Sequence, residues 1–392
     1  MVGRLRRGSG SDDRFRVTTR GYDKTRVKVL VVGQSPPPYG GQAIMIQRML
    51  EHTYEGVDLR HVRMAFSQQI SDAGKFQFRK VGHLVSVIAR VVRERARHRT
   101  TVLYYPPAGP NEIAVLRDIA ILLCTRWMFR RTIFHFHATD LWSIYASLSK
   151  PLQRLFRAAY FAPDLAIATS EFNLADGAAL GARRQVVIPN FLDSNSLLEA
   201  HRRFRRTGKC RLLFVGMITP SKGIEDFLEA GRILEEHGWD FEIRLVGQPV
   251  SAEFERLVLD SACRLGISHR LSLAGELSES EVRAEYASAD IFVFPTRQRS
   301  ESFGIVLLEA MAYGLPLVGS GLGGVRSIIR DEINGLYVPS NDPPSLAVAL
   351  ERLIGEPELR ERLGRTGFEL VRHEYKPEIF FTRMNDAFLS QA

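Results

Sequence analysis

The residues of this chain best suited to chemistry gather around position 300. Glu301 and Glu309 stand eight residues apart in ESFGIVLLE, with Phe303 and Gly304 just after the first carboxylate. A helix beginning near Gly304 would turn its free N–H groups and positive dipole end toward a diphosphate. Gly304, lacking a side chain, would let the phosphate come close to the backbone. Glu309, about a turn and a half into that helix, could accept hydrogen bonds from ribose hydroxyls. Glu301, in the loop before it, would face a sugar on the other side of the phosphates. Taken alone, the same pair is equally compatible with an ordinary helix carboxylate and a charge favoured by the dipole.

A second candidate lies in FHFHATD, residues 134–140. Strand alternation puts His135 and His137 on the same face and so does not choose between them. The carboxyl end of a strand is where α/β sites lie, which favours His137. Asp140 could orient one of the histidines or cap the helix that follows.

Positioning these groups requires alternating strands and helices. Val27–Val32, Val102–Tyr105, Thr132–Phe136, Leu165–Ala168 and Val186–Ile188 read as buried strands, with helical patterns over Leu84–Arg97 and Ile113–Phe129. After a polar, basic stretch a second series follows: Leu212–Val215, Ile243–Val246, Leu271–Leu273, Ile291–Phe294, Pro316–Val318 and Gly335–Val338. The expected organisation is α/β with two doubly wound, Rossmann-like parallel-sheet domains facing a cleft. Its expected divisions are a disordered basic tail (1–25), a first domain (26–193), a linker (194–209), a second domain (210–372) and a helical tail (373–392) that could cross back.

Of the 392 residues, 45% are hydrophobic and 25% charged, as in soluble globular proteins. No apolar run approaches the roughly 20 residues of a membrane span, and the N-terminus has no apolar core of a secretory signal. Three cysteines are too few and scattered for a disulfide framework or zinc site. These features predict a cytoplasmic chain. Charge is uneven: residues 1–211 carry 35 Lys and Arg against 16 Asp and Glu, a balance of +19, whereas the remainder carries 18 against 28, or −10. Such asymmetry suggests two domains with different partners.

The run SESFGIVLLEAMAYGLPLVGSGLGG closely resembles the donor-site signature of retaining glycosyltransferase family 4, which has the GT-B fold. FVGMITPSKG (214–223), YASADIFVFP (286–295) and IPNFLD (188–193) extend the resemblance over most of the chain. It implies transfer of a hexosyl group from a nucleotide-diphosphate sugar with retention of anomeric configuration. Within it, Lys222 would neutralise the leaving diphosphate, Gly216 would line the donor site, and Glu301 would hold the donor sugar. His137 matches the family's active-site histidine. Gly40 and Gly41 resemble its glycine pair, whose amides approach a phosphate or acceptor sugar. One departure stands out: Met217 occupies the place where members often carry an arginine.

The sequence has no Asp-x-Asp at a strand end and no Walker phosphate loop, and the Gly33 loop does not make Gly-x-Gly-x-x-Gly. The expectation is therefore a metal-independent transferase without cofactor and without nucleic-acid binding. Phe76–Arg99 reads as a basic amphipathic helix, either a core helix with solvated arginines or a contact with an anionic membrane. The latter would fit a lipid-linked sugar acceptor, as in exopolysaccharide or cell-envelope synthesis. Two rivals are a catalytically silent sugar-nucleotide-binding subunit, which Met217 would suit, and a sugar-nucleotide epimerase of similar fold.

Overall fold

The computed structural model describes residues 26–37, 40–64, 78–193, 209–298, 300–320 and 323–392. The expected tail 1–25, and the expected linker apart from Lys209, lie outside the described residues.

Two six-stranded parallel sheets form the α/β scaffold. The first contains β1 (Val27–Gly33), β2 (Val57–Arg63), β3 (Val102–Tyr105), β4 (Arg131–Phe136), β5 (Leu165–Ala168) and β6 (Gln185–Val187). Its order is β2-β1-β3-β4-β5-β6. The second contains β7 (Cys210–Val215), β8 (Phe241–Val246), β9 (Leu271–Gly275), β10 (Ile291–Phe294), β11 (Leu317–Ser320) and β12 (Gly335–Val338). Its order is β12-β11-β10-β7-β8-β9.

The first sheet is covered on both faces, which is why its central strands are continuous apolar runs. Leu30 and Val32 of β1 join Phe134 and Phe136 in one core layer, under Val87 and Val91 of the helix Phe78–His98. Val29 and Val31 join Ile133 and Ile167 in the other. That second layer is completed by Phe380, Met384, Ala387 and Phe388 from the C-terminal helix Pro377–Leu389, so the chain ends packed on the sheet with which it began.

Strand β2 has no counterpart in the sequence expectations. It reads VDLRHVR and pairs residue for residue with β1, from Val27↔Val57 to Gly33↔Arg63. It stands at the sheet edge, where charged side chains discourage further pairing and hide the apolar pattern.

Candidate functional site

In a doubly wound sheet, a crevice opens beyond the strand ends where the order reverses. In the second sheet that point lies between β7 and β10, which are neighbours although β8 and β9 intervene in sequence. The loops leaving these two strands carry Lys222 and Glu301.

The loop after β7 is fastened to the loop after β10. It closes in a short 3₁₀ turn, Pro220–Lys222, and Gly223 follows in the left-handed region at φ +70°. A Cβ at Gly223 would stand 1.9 Å from the carbonyl oxygen of Pro295, so only glycine allows this approach. Ser221 O accepts from Arg297 N at 2.8 Å and from Thr296 Oγ1 at 3.3 Å. Lys222 Nζ, 5.1 Å from the centroid of the Phe294 ring, donates to Glu301 Oε2. The two side chains are only 16% and 18% exposed. This arrangement presents an ammonium and a carboxylate side by side.

Gly304 (φ +81°) ends the Glu301 loop and caps the helix Ile305–Ala312 without any side-chain cap. The helix dipole thus points its positive end at the Lys222–Glu301 pair's own loop. Glu309 is half-buried, and its Oε2 accepts from Tyr286 Oη at 2.8 Å. Burial raises the Glu309 carboxyl above its ordinary range, while the Tyr286 hydrogen bond opposes that shift. Phe303 is placed differently from a ligand-binding aromatic. Its side chain is buried in the core, edge-on to Tyr375 with centroids 5.9 Å apart, which leaves its main chain to meet a ligand.

Gly216 leaves β7 with its N–H bonded to Val246 O, and Met217 follows it at the surface. The nearby Arg297 does not substitute for a cation there. Its guanidinium binds both carboxylate oxygens of Asp226, at 2.6 and 2.8 Å, and also Glu225 at 3.1 Å.

The first domain supplies the opposite wall. Gly40 caps the helix Gly41–Glu51 with no side-chain bond, and Gly41 lies beside Ile305, whose Cδ1 would be 3.5 Å from a Cβ at that glycine. His135 is fully buried, and its Nδ1 lies 2.6 Å from Tyr104 Oη. His137, just past β4, is half-buried with its ring centroid 4.1 Å from that of His135. Its Nε2 has no partner among the described residues. Loss of solvation lowers the His137 imidazole to about 4 and holds His135 well below the usual range, so both rings are neutral at pH 7. Asp140 adopts a left-handed conformation (φ +73°) and caps nothing with its side chain. Asp176 meets the start of the following helix, Leu141–Ser147, instead, accepting from Trp142 N at 3.3 Å.

Lys222, Glu301 and Gly304 therefore share one loop junction, with Gly41 and His137 reaching it from the facing domain. Several residues that build the junction carry no mark in the sequence. Tyr286 opens the YASADIFVFP run, which by itself gives it no role. Ser302, Thr169 and Asn173, which link the domains, are small polar residues whose significance lies only in where the chain brings them.

Comparison with known proteins adds a family likeness over part of the chain. Residues 199–370 match the family model described as glycosyl transferases group 1. The chain is 30% identical over 226 residues to alpha-D-kanosaminyltransferase of Streptomyces kanamyceticus, an alignment covering 57% of this chain and 51% of that protein. The chain thus spans about half the length of that relative. Sucrose-phosphate synthase from Thermosynechococcus elongatus superposes with TM-score 0.70 at 18% identity, over 93% of this chain and 99% of that one. The Anabaena protein HepE, solved in complex with UDP, superposes with TM-score 0.70 at 17% identity, over 93% and 100%. At these identities the structural likeness establishes the GT-B fold.

Proposed function

We propose, for a chain whose residues 199–370 match the glycosyl transferases group 1 and whose described residues have the GT-B architecture, that the protein moves a hexosyl group from a nucleoside-diphosphate sugar to an acceptor with retention. The observation that carries this reading is the Lys222–Glu301 pair, set beside the uncapped start of the helix Ile305–Ala312. The hard step is breaking the bond to the diphosphate, so stabilising the departing charge gives the largest help. Lys222 and the helix amides supply that stabilisation. Glu301, relieved of part of its bond to Lys222 once a phosphate arrives, accepts hydrogen bonds from the donor sugar. Glu309, positioned by Tyr286, accepts from the ribose. His137, neutral and half-buried, stands on the acceptor side to meet the sugar. With a lysine at the leaving group the reaction needs no divalent cation.

The acceptor is a lipid-linked sugar at an anionic membrane face, as in exopolysaccharide or cell-envelope synthesis. Support comes from the helix Phe78–His98, which exposes Val81, Val85 and Val92 along one stripe with Arg93 and Arg97 beside it. Trp127, 76% exposed, stands at the same end, because Arg95 Nε donates to Met128 O at 2.9 Å. A peripheral contact of this kind needs no spanning helix, and no helix among the described residues is long and apolar enough to cross a membrane.

A thermal-shift screen of nucleoside-diphosphate hexoses tests the donor assignment. A true donor at a hundredfold excess over Kd stabilises by about 2.7 kcal/mol. Transfer should persist in excess chelator; loss restored by manganese or magnesium would overturn the mechanism. Donor binding without turnover would favour the silent binder, and donor turnover without an extended acceptor the epimerase.

A further inference from the structure

The loop that bears Glu301 is held by the facing domain as firmly as by its own. Ser302 is 7% exposed and lies between the two. Its carbonyl accepts from Thr169 Oγ1 at 3.0 Å and from Asn173 Nδ2, and its Oγ donates to the carbonyl of His137. Thr169 and Asn173 are fully buried just past β5, and Asn173 Nδ2 also donates to Thr169 Oγ1 at 2.9 Å, which fixes both. One residue of the donor loop is thereby tied to the ends of two strands of the other sheet.

The loop cannot withdraw into its own domain. A Cβ at Gly324 would stand 1.7 Å from Ser302 O, and Gly324 N donates to Glu301 O at 2.9 Å. On the other flank, Ile305 packs against the hydrophobic cores of both domains. Opening the cleft would strip Ser302 of all three of these partners, and buried polar groups do not give up partners without cost. The loop that ends at Gly304 is therefore held from both sides, and opening the cleft removes the side supplied by the first domain.

We propose that Ser302 is a positioning residue that couples closure of the first domain to the placement of Glu301 and of the amides after Gly304. The donor is then held in reacting geometry only when the domains are shut. This rests on the reading of Glu301 as a ligand of the donor sugar. Ground-state affinity also draws on Lys222 and Glu309, which the tie does not hold, so the tie acts mainly on the reacting geometry.

The test pairs kinetics with shape, using the full chain and Ser302→Ala, Thr169→Val and their double variant. The double variant should lose about tenfold or more in kcat, from the hydrogen bonds removed, with donor Kd within about twofold. Thr169→Ser, which keeps the hydroxyl, should retain the rate. Small-angle scattering should show the ligand-free double variant more extended than the parent, with faster amide exchange over residues 137–140 and 169–173. An unchanged kcat, or a fall in kcat matched by an equal loss of donor affinity, would overturn the proposal. Unchanged scattering and exchange would do the same. If the parent turns over no nucleotide sugar, the functional reading fails, and scattering and exchange alone decide whether Ser302 holds the domains together.

Discussion

Replacing Lys222 by alanine separates stability from chemistry more cleanly than any other change at the site. Lys222 and Glu301 are 16% and 18% exposed, between a surface pair worth about 0–1 kcal/mol and a buried pair whose disruption costs about 3–5 kcal/mol. Losing the ammonium should therefore cost about 1–2 kcal/mol of stability, much of it from a half-buried carboxylate left without its partner. The rate should suffer more, because charge on the leaving diphosphate grows in the transition state. Removing one stabilising donor typically lowers kcat by about 10²–10³. The companion variant Lys222→Ala with Glu301→Gln removes the stranded charge as well. It should recover stability in thermal melts without recovering kcat at saturating donor. A Lys222→Ala enzyme that turns over normally at saturation would refute the leaving-group role. Recovery of rate together with stability in the double variant would show that the lysine serves only the fold.

Three further outcomes follow from the same geometry. Tyr286→Phe frees the Glu309 carboxylate to reorient and should weaken donor binding about three- to tenfold, as expected for one hydrogen bond, with kcat at saturation nearly unchanged; a larger effect on kcat than on donor Kd would contradict the ribose assignment. His137 is neutral when folded and titrates at its ordinary value when unfolded, so the unfolded chain binds more protons in between. Its contribution is complete above pH about 6.5 and is lost as pH falls toward 4, and His137→Gln should flatten the decline of Tm across that window; an identical decline would contradict the burial argument. For membrane contact, Arg93→Gln with Arg97→Gln and Trp127→Ala should reduce co-sedimentation with anionic vesicles at low salt, whereas equal binding to zwitterionic vesicles would remove the argument. Arg90 and Arg95 are unsuitable for that test, since they donate to Arg63 O and Met128 O and so support the fold.

What the sequence disclosed, and what it withheld, follows from the range of the interactions involved. The buried strands are short apolar runs because helices cover both sheet faces, and β1, β4 and β10 are readable for that reason. β2 is not, because an edge strand with Asp58, Arg60 and Arg63 shows no apolar pattern. The start of the helix at Ile305 is legible from Gly304, and the choice between His135 and His137 is not. The structure gives them different surroundings: His135 is fully buried and bonded to Tyr104, whereas His137 lies just past the strand, and the Nε2 of each is enclosed without a partner among the described residues. Phe303 stands beside Gly304 where a ligand contact would be expected, but its ring completes the core against Tyr375, about seventy residues further along the chain. Ser302, Thr169 and Asn173 carry no motif at all, since their meaning arises only when two domains meet.

The central claim is that the second domain holds a sugar nucleotide by its diphosphate while the first presents an acceptor. The most direct measurement follows the anomeric proton signals of donor and product by NMR during single turnover, with a panel of nucleoside-diphosphate hexoses and a lipid-linked sugar, in excess chelator. The account predicts release of one nucleoside diphosphate per extended acceptor, with the anomeric configuration of the donor retained in the product. Inversion of that configuration, or no consumption of any donor in the panel, would contradict it.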